Sequence, residues 1–207
     1  MAKFYVGLDL GQASDFTAIA VAERVEDLGA KETVKGGDEY QLHIRHLERF
    51  RDVRYPEVSE RVKRLLLAPP LQKNSKLVVD ATGVGAAVVD MLRDSVRGSA
   101  GLTFDAVTIT GGDTQSRAGY GSYRVPKRDL VGGLQVLLQS GRLKIASSLE
   151  HAETLRAELL NFRVKINLST GHDSYEAWRE GDHDDLVLAA ALAVWSARAP
   201  GPTIVFV

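Results

Sequence analysis

The stretch Val6-Gly7-Leu8-Asp9-Leu10-Gly11 places one carboxylate at the end of an apolar run, just before a glycine turn. An acid there can serve a phosphate loop, ligate a metal ion, or simply stabilise a turn. Its neighbours decide the architecture around it. Residues 3–9 predict a buried strand and 16–23 a second, with Gly-Gln-Ala-Ser-Asp between them as a tight hairpin turn. Residues 40–50 alternate apolar and polar through Tyr40, Leu42 and Ile44, which predicts a third strand and an opening β-meander.

Downstream, the pattern changes to crossover connections. In 55–67, Pro56 stands near a helix start, and Val58, Val62, Leu65 and Leu66 recur at helical spacing. The run 77–92 predicts a short buried strand ending at Asp80, a glycine turn and a helix, hence a βαβ unit joining parallel strands. Gly83 and Gly85 are expected to let that turn and helix pack close to the strand. Residues 104–109 predict a further strand, followed by a polar glycine-rich loop, a helix over 127–139 and a short strand at 142–146. The segment 147–162 predicts a serine-capped surface helix with Leu149, Ala152, Leu155, Leu159 and Phe162 on one side. A hairpin is expected within 163–177, then an alanine-rich helix opened by clustered acids at 181–195. The pattern as a whole is α/β, with a central mixed sheet flanked by helices.

Composition narrows the chemistry. With 207 residues, 44% of them hydrophobic, and neither linker nor repeat, a single domain over 1–207 is expected, with no role assigned to the tail 198–207. The absence of cysteine excludes disulfides and thiolate metal sites, leaving oxygen ligands or histidine for any ion. No signal pattern or membrane span is evident, so a cytoplasmic location is expected. The net charge of −1 says nothing in favour of a nucleic-acid partner, so any basic surface must be local. The best local candidate is the acid-free cluster of Arg117, Arg124, Lys127 and Arg128, placed to contact phosphates or to form a solvated loop and helix start.

Three acidic positions share one context. Asp9 ends the first strand, Asp80 ends the strand of the βαβ unit, and Asp184 with Asp185 open the last helix. Each alone reads as a turn or cap residue. Together they can converge at one sheet edge, because carboxylates leaving adjacent strand ends about 4.8 Å apart can share an ion, and a helix N-terminus can add a third ligand. Clustered carboxylates repel unless a cation neutralises them, so such convergence favours a hard divalent metal. Paired ions of this kind support phosphodiester hydrolysis without cysteine or nucleotide cofactor.

The ordered set 5–21, 78–92, 123–145 and 183–195 resembles the nuclease domain of viral, that is phage or prophage, terminase large subunits, which have a ribonuclease-H-like fold and package DNA. The resemblance runs through nearly the whole chain. It implies a metal-dependent DNA endonuclease that uses two Mg²⁺ or Mn²⁺ ions. Asp9, Asp80 and one or both of Asp184 and Asp185 would be the catalytic metal ligands, with Asp9 expected to bridge. Implied partners are double-stranded DNA and, beyond it, a packaging ATPase motor, portal or small terminase subunit, in the host cytoplasm if phage-encoded. No GxxxxGK[ST] motif is present, so no P-loop motor is expected within these residues and packaging by itself is not predicted. Three alternatives remain open. A non-enzymatic scaffold could keep the fold for DNA or protein binding. Gly-Leu-Asp-Leu-Gly and residues 79–85 also resemble the phosphate loops of actin- and hexokinase-like ATPase lobes, and Holliday-junction resolvases share an early strand-end Asp. His183 is expected to help cap the last helix, or else to support or join the ligands; His172 and Asp173 are expected in a hairpin turn, and Tyr120, Tyr123, Tyr175 and Trp178 to pack against the core or surface, or else to stack on bases.

Overall fold

A computed structural model describes residues 3–11, 15–26, 40–168 and 183–198. In chain order the elements are β1 (Phe4–Asp9), β2 (Thr17–Glu26), β3 (Tyr40–Phe50), α1 (Tyr55–Leu67), β4 (Ser75–Asp80), α2 (Ala86–Val96) and β5 (Leu102–Thr110). There follow β6 (Ser116–Gly119), β7 (Ser122–Pro126), α3 (Lys127–Gln139), β8 (Leu143–Ile145), α4 (Ala152–Leu168) and α5 (Asp185–Arg198). The eight strands form one mixed sheet in the order β6-β7-β5-β4-β1-β2-β3-β8. The meander β1-β2-β3 is antiparallel, whereas β1, β4, β5 and β7 run parallel in adjacent pairs, as crossover connections require.

Strand alternation divides the core into two layers. Phe4, Val6 and Leu8 of β1, with Leu77 and Val79 of β4, pack with Val58, Val62 and Leu66 of α1 and Leu92 of α2. Tyr5 and Val78 face the other way and pack with α3, α4 and α5. Helix α5 is the centre of that second layer: every residue from Leu186 to Ala197 is buried, so its alanines are interior surface rather than a solvent face. Its backbone lies directly on β1. A Cβ built on Gly7 would collide with the Ala189 carbonyl and lie 2.9 Å from the Ala193 nitrogen.

Four local expectations change. The loop after β5 contains the hairpin β6-β7, in which Gly119 pairs with Ser122 and Tyr120-Gly121 makes a two-residue turn with Gly121 at φ 62°. Helix α4 starts at Ala152, not at the serines, because His151 adopts φ 64° and interrupts the helical backbone before it. Residues 163–168 continue α4 instead of opening a hairpin. Gly85 is not there for close packing: a Cβ on it would meet nothing within 4 Å, and what demands glycine is its φ of 81° at the N-cap of α2. Residues 12–14 of the β1–β2 turn, the rest of the expected hairpin with His172, Asp173, Tyr175 and Trp178, and 199–207 lie outside the described residues.

The packing of α5 on β1 yields a stability prediction. Gly7→Val should push α5 off the sheet and lower the unfolding free energy by about 1–3 kcal/mol, the usual range for overpacking a close-packed core. Urea denaturation monitored by circular dichroism measures the decrease.

Candidate metal centre

The register of the two central strands brings the first pair of acids together. Leu8 pairs with Val79 across the parallel β1–β4 ladder, so the next residues along, Asp9 and Asp80, leave the sheet side by side at the carboxyl end of both strands. Alternation turns both toward α5, since Leu8 and Val79 point into the opposite layer. Asp9 is buried, and one Asp80 oxygen accepts a hydrogen bond from the Thr82 backbone N–H at 2.8 Å, which fixes the turn after β4. Thr17 Oγ1 likewise accepts from the Gly11 N–H at 3.1 Å and ties the glycine turn to β2.

Helix α5 delivers the second pair. It lies along β1 and β2 with Asp184 immediately before its first turn and Asp185 within it, where the helix dipole favours negative charge. Each acid meets a cation. Lys127 Nζ lies 3.2 Å from Asp184 Oδ2, and Arg49 donates from one terminal nitrogen to Asp185 Oδ2 at 3.0 Å. His183 Nδ1 lies 3.8 Å from the same Asp185 oxygen, and its ring stands edge-on to Phe16 at 5.1 Å.

Asp9 feels the charges of the other three acids. Burial, then the charges of Asp80, Asp185 and Asp184, hold the Asp9 carboxyl well above the usual carboxylate range, with Lys127 pulling it back. Burial also raises Asp185, opposed by its hydrogen bond to Arg49. Among the described residues, no three or more His, Asp or Glu close into a ready-made metal-ligand group. Asp184 and Asp185 are instead turned to Lys127 and Arg49. The donor set nonetheless fits a hard divalent cation: it is all carboxylate oxygen, and it crowds negative charge around a buried acid whose ionised form is disfavoured.

The basic candidates divide. Lys127 belongs to the acid group, and Arg128 pairs with Asp113 at 2.5 Å. Arg117 and Arg124 are exposed on β6 and β7, but Arg117 is opposite Tyr123 rather than Arg124, so the two arginines leave opposite faces of the hairpin. Tyr120 at its tip is 94% exposed instead of packed, whereas Tyr123 packs edge-on against Trp195.

Sequence reasoning missed Glu158 and Arg49. Glu158 is buried on α4, accepts the Val187 N–H of α5 at 3.1 Å, and is raised to about 7, chiefly by burial. Arg49 lies on the Phe16 ring, 3.9 Å from its centroid. Glu158 sits in an amphipathic helix pattern and Arg49 in a strand alternation. Nothing local in the sequence separates either from a surface charge.

A family model described as the terminase RNaseH-like domain matches residues 6–196. The large terminase nuclease of thermophilic phage G20c superposes with a TM-score of 0.56 at 19% identity, over 93% of this chain and 81% of that one. The human cytomegalovirus terminase nuclease domain, Mn-soaked and inhibitor-bound, gives 0.57 at 17% identity, over 95% and 83%. The large terminase (g2p) nuclease domain of bacteriophage SPP1, with bound Mn, gives 0.50 at 11%, over 94% and 86%. A search of curated proteins finds no sequence match. The mixed sheet, its meander-then-crossover order and the match over residues 6–196 lead to one assignment: the chain belongs to the terminase RNaseH-like domain family.

Proposed function

We propose that this chain, acting as a single domain, is a divalent-metal-dependent endonuclease that hydrolyses phosphodiester bonds of double-stranded DNA. The observation that carries the reading is the gathering of Asp9, Asp80, Asp184 and Asp185 into one electrostatic group at the carboxyl ends of the two central strands. Relatives of the same fold from cytomegalovirus and SPP1 are nucleases described with Mn. Asp9, Asp80, Asp184 and Asp185 would hold Mg²⁺ or Mn²⁺, two ions in all. When bound, such ions supply an activated water and stabilise the departing 3′ oxygen.

The protein's own groups supply position and charge. The strand ends hold Asp9 and Asp80 on a rigid scaffold, and α5 carries Asp184 and Asp185 to them. Lys127 sits beside Asp184, where it tempers the negative charge that would otherwise repel a phosphate. Arg117 and Arg124 on the exposed hairpin, with Arg128 at the start of α3, are the proposed backbone contacts. No helix among the described residues is long and apolar enough to cross a membrane. The proposed setting is the host cytoplasm, where a packaging motor, portal or small subunit would present DNA to the domain.

Two outcomes test this reading. Asp9→Asn should reduce Mn²⁺-dependent plasmid cleavage to background while raising the melting temperature of the metal-free protein by a few degrees, because it removes a buried charge from a repulsive group. The sign follows from the raised Asp9 pKa: a carboxyl that titrates higher in the folded than in the unfolded state favours folding at low pH, and this contribution is lost as pH rises. The variant should therefore flatten that part of the stability profile; melts across pH, without metal, check it. Second, Arg117→Ala and Arg124→Ala should each lower the slope of log affinity against log salt by about 0.9 for each phosphate that the variant no longer neutralises, measured by fluorescence anisotropy on duplex DNA.

A further inference from the structure

Arg49 occupies an unusual position beside the acid group. One of its terminal nitrogens donates to Asp185 at 3.0 Å, while the other stands 3.9 Å from Glu158 Oε1, near enough for charge attraction but too far for a hydrogen bond. Among the described residues, Glu158 Oε1 and Arg49 Nε are buried with no hydrogen-bond partner. Glu158 is itself immobilised, because its second oxygen accepts the Val187 N–H at the start of α5. The guanidinium rests on the Phe16 ring, a flat surface over which it can slide and stay stacked. A shift of about 1 Å toward Glu158 would complete that hydrogen bond.

We infer that Arg49 is a positioning residue that serves as an internal counter-ion for Asp185 and yields it to an incoming divalent cation by moving onto Glu158. The inference rests on the metal-site reading above. The acid group is thereby kept partly neutral before metal enters, and the displaced guanidinium has a buried carboxylate waiting for it. Glu158 then acts on the metal site without touching it, through the partner it takes away.

Isothermal titration of each folded variant with Mn²⁺ alone provides the test, with circular dichroism melts establishing the fold. Glu158→Gln keeps an acceptor for the Val187 N–H but removes the charge that receives Arg49, and Mn²⁺ affinity should fall about tenfold. Arg49→Met removes the competing cation, so it should bind Mn²⁺ at least as tightly as the wild type. The double variant should recover most of the affinity that Glu158→Gln gives up, a non-additivity expected only of groups that act through one another. If Arg49→Met weakens binding, or the double variant binds more weakly than Glu158→Gln, Arg49 merely supports the local structure and the proposal is overturned. A wild-type protein that takes up no Mn²⁺ overturns the metal-site reading and this proposal with it.

Discussion

The structure depends on the close approach of α5 to β1. Because Gly7 presents no side chain, the helix backbone settles against the middle of the sheet, and the buried run from Leu186 to Ala197 forms the centre of one core layer. The same approach sets how far along the strand the helix begins. Its acidic first turn consequently falls at the carboxyl ends of β1 and β4, where Asp9 and Asp80 leave the sheet. Packing and site geometry are therefore one constraint: the helix cannot slide along the sheet without moving two of the four carboxylates relative to the other two.

That arrangement carries an electrostatic conflict. Apolar packing brings together acids that repel one another, and burial disfavours the charge on Asp9 still further. Lys127, Arg49 and the helix N-terminus relieve part of the repulsion. Under the proposed function, the remainder would favour binding a cation. It also bears on the phosphate-loop reading of Gly-Leu-Asp-Leu-Gly, because a nucleotide phosphate placed there would meet the same crowded negative charge.

The scaffold is readable in the sequence because its signals are periodic. The alternation in β3, the helical spacing of α1 and the buried run ending at Asp80 each identify an element by a rule that neighbours cannot easily override. The acids stand out for a related reason, since each sits at an element boundary. The hairpin β6-β7 is hidden because all four residues of β6 are exposed, leaving no alternation to detect. The start of α4 is displaced from its expected place because a positive φ at His151 depends on tertiary surroundings, not on local propensity. Arg49 and Glu158 are illegible for a deeper reason. Their importance lies in which buried charge each one faces, and that is decided by elements far apart in the chain.

The separation of those elements has a consequence for timing. Residues 4–80 carry β1 to β4 with Asp9 and Asp80, whereas Asp184 and Asp185 arrive only with α5, the last described element. On the ribosome, a chain that has emerged only as far as β4 would lack two of the four proposed ligands. Under the proposed function, cleavage would thus be withheld by chain order until the last described helix both closes the core and completes the proposed site.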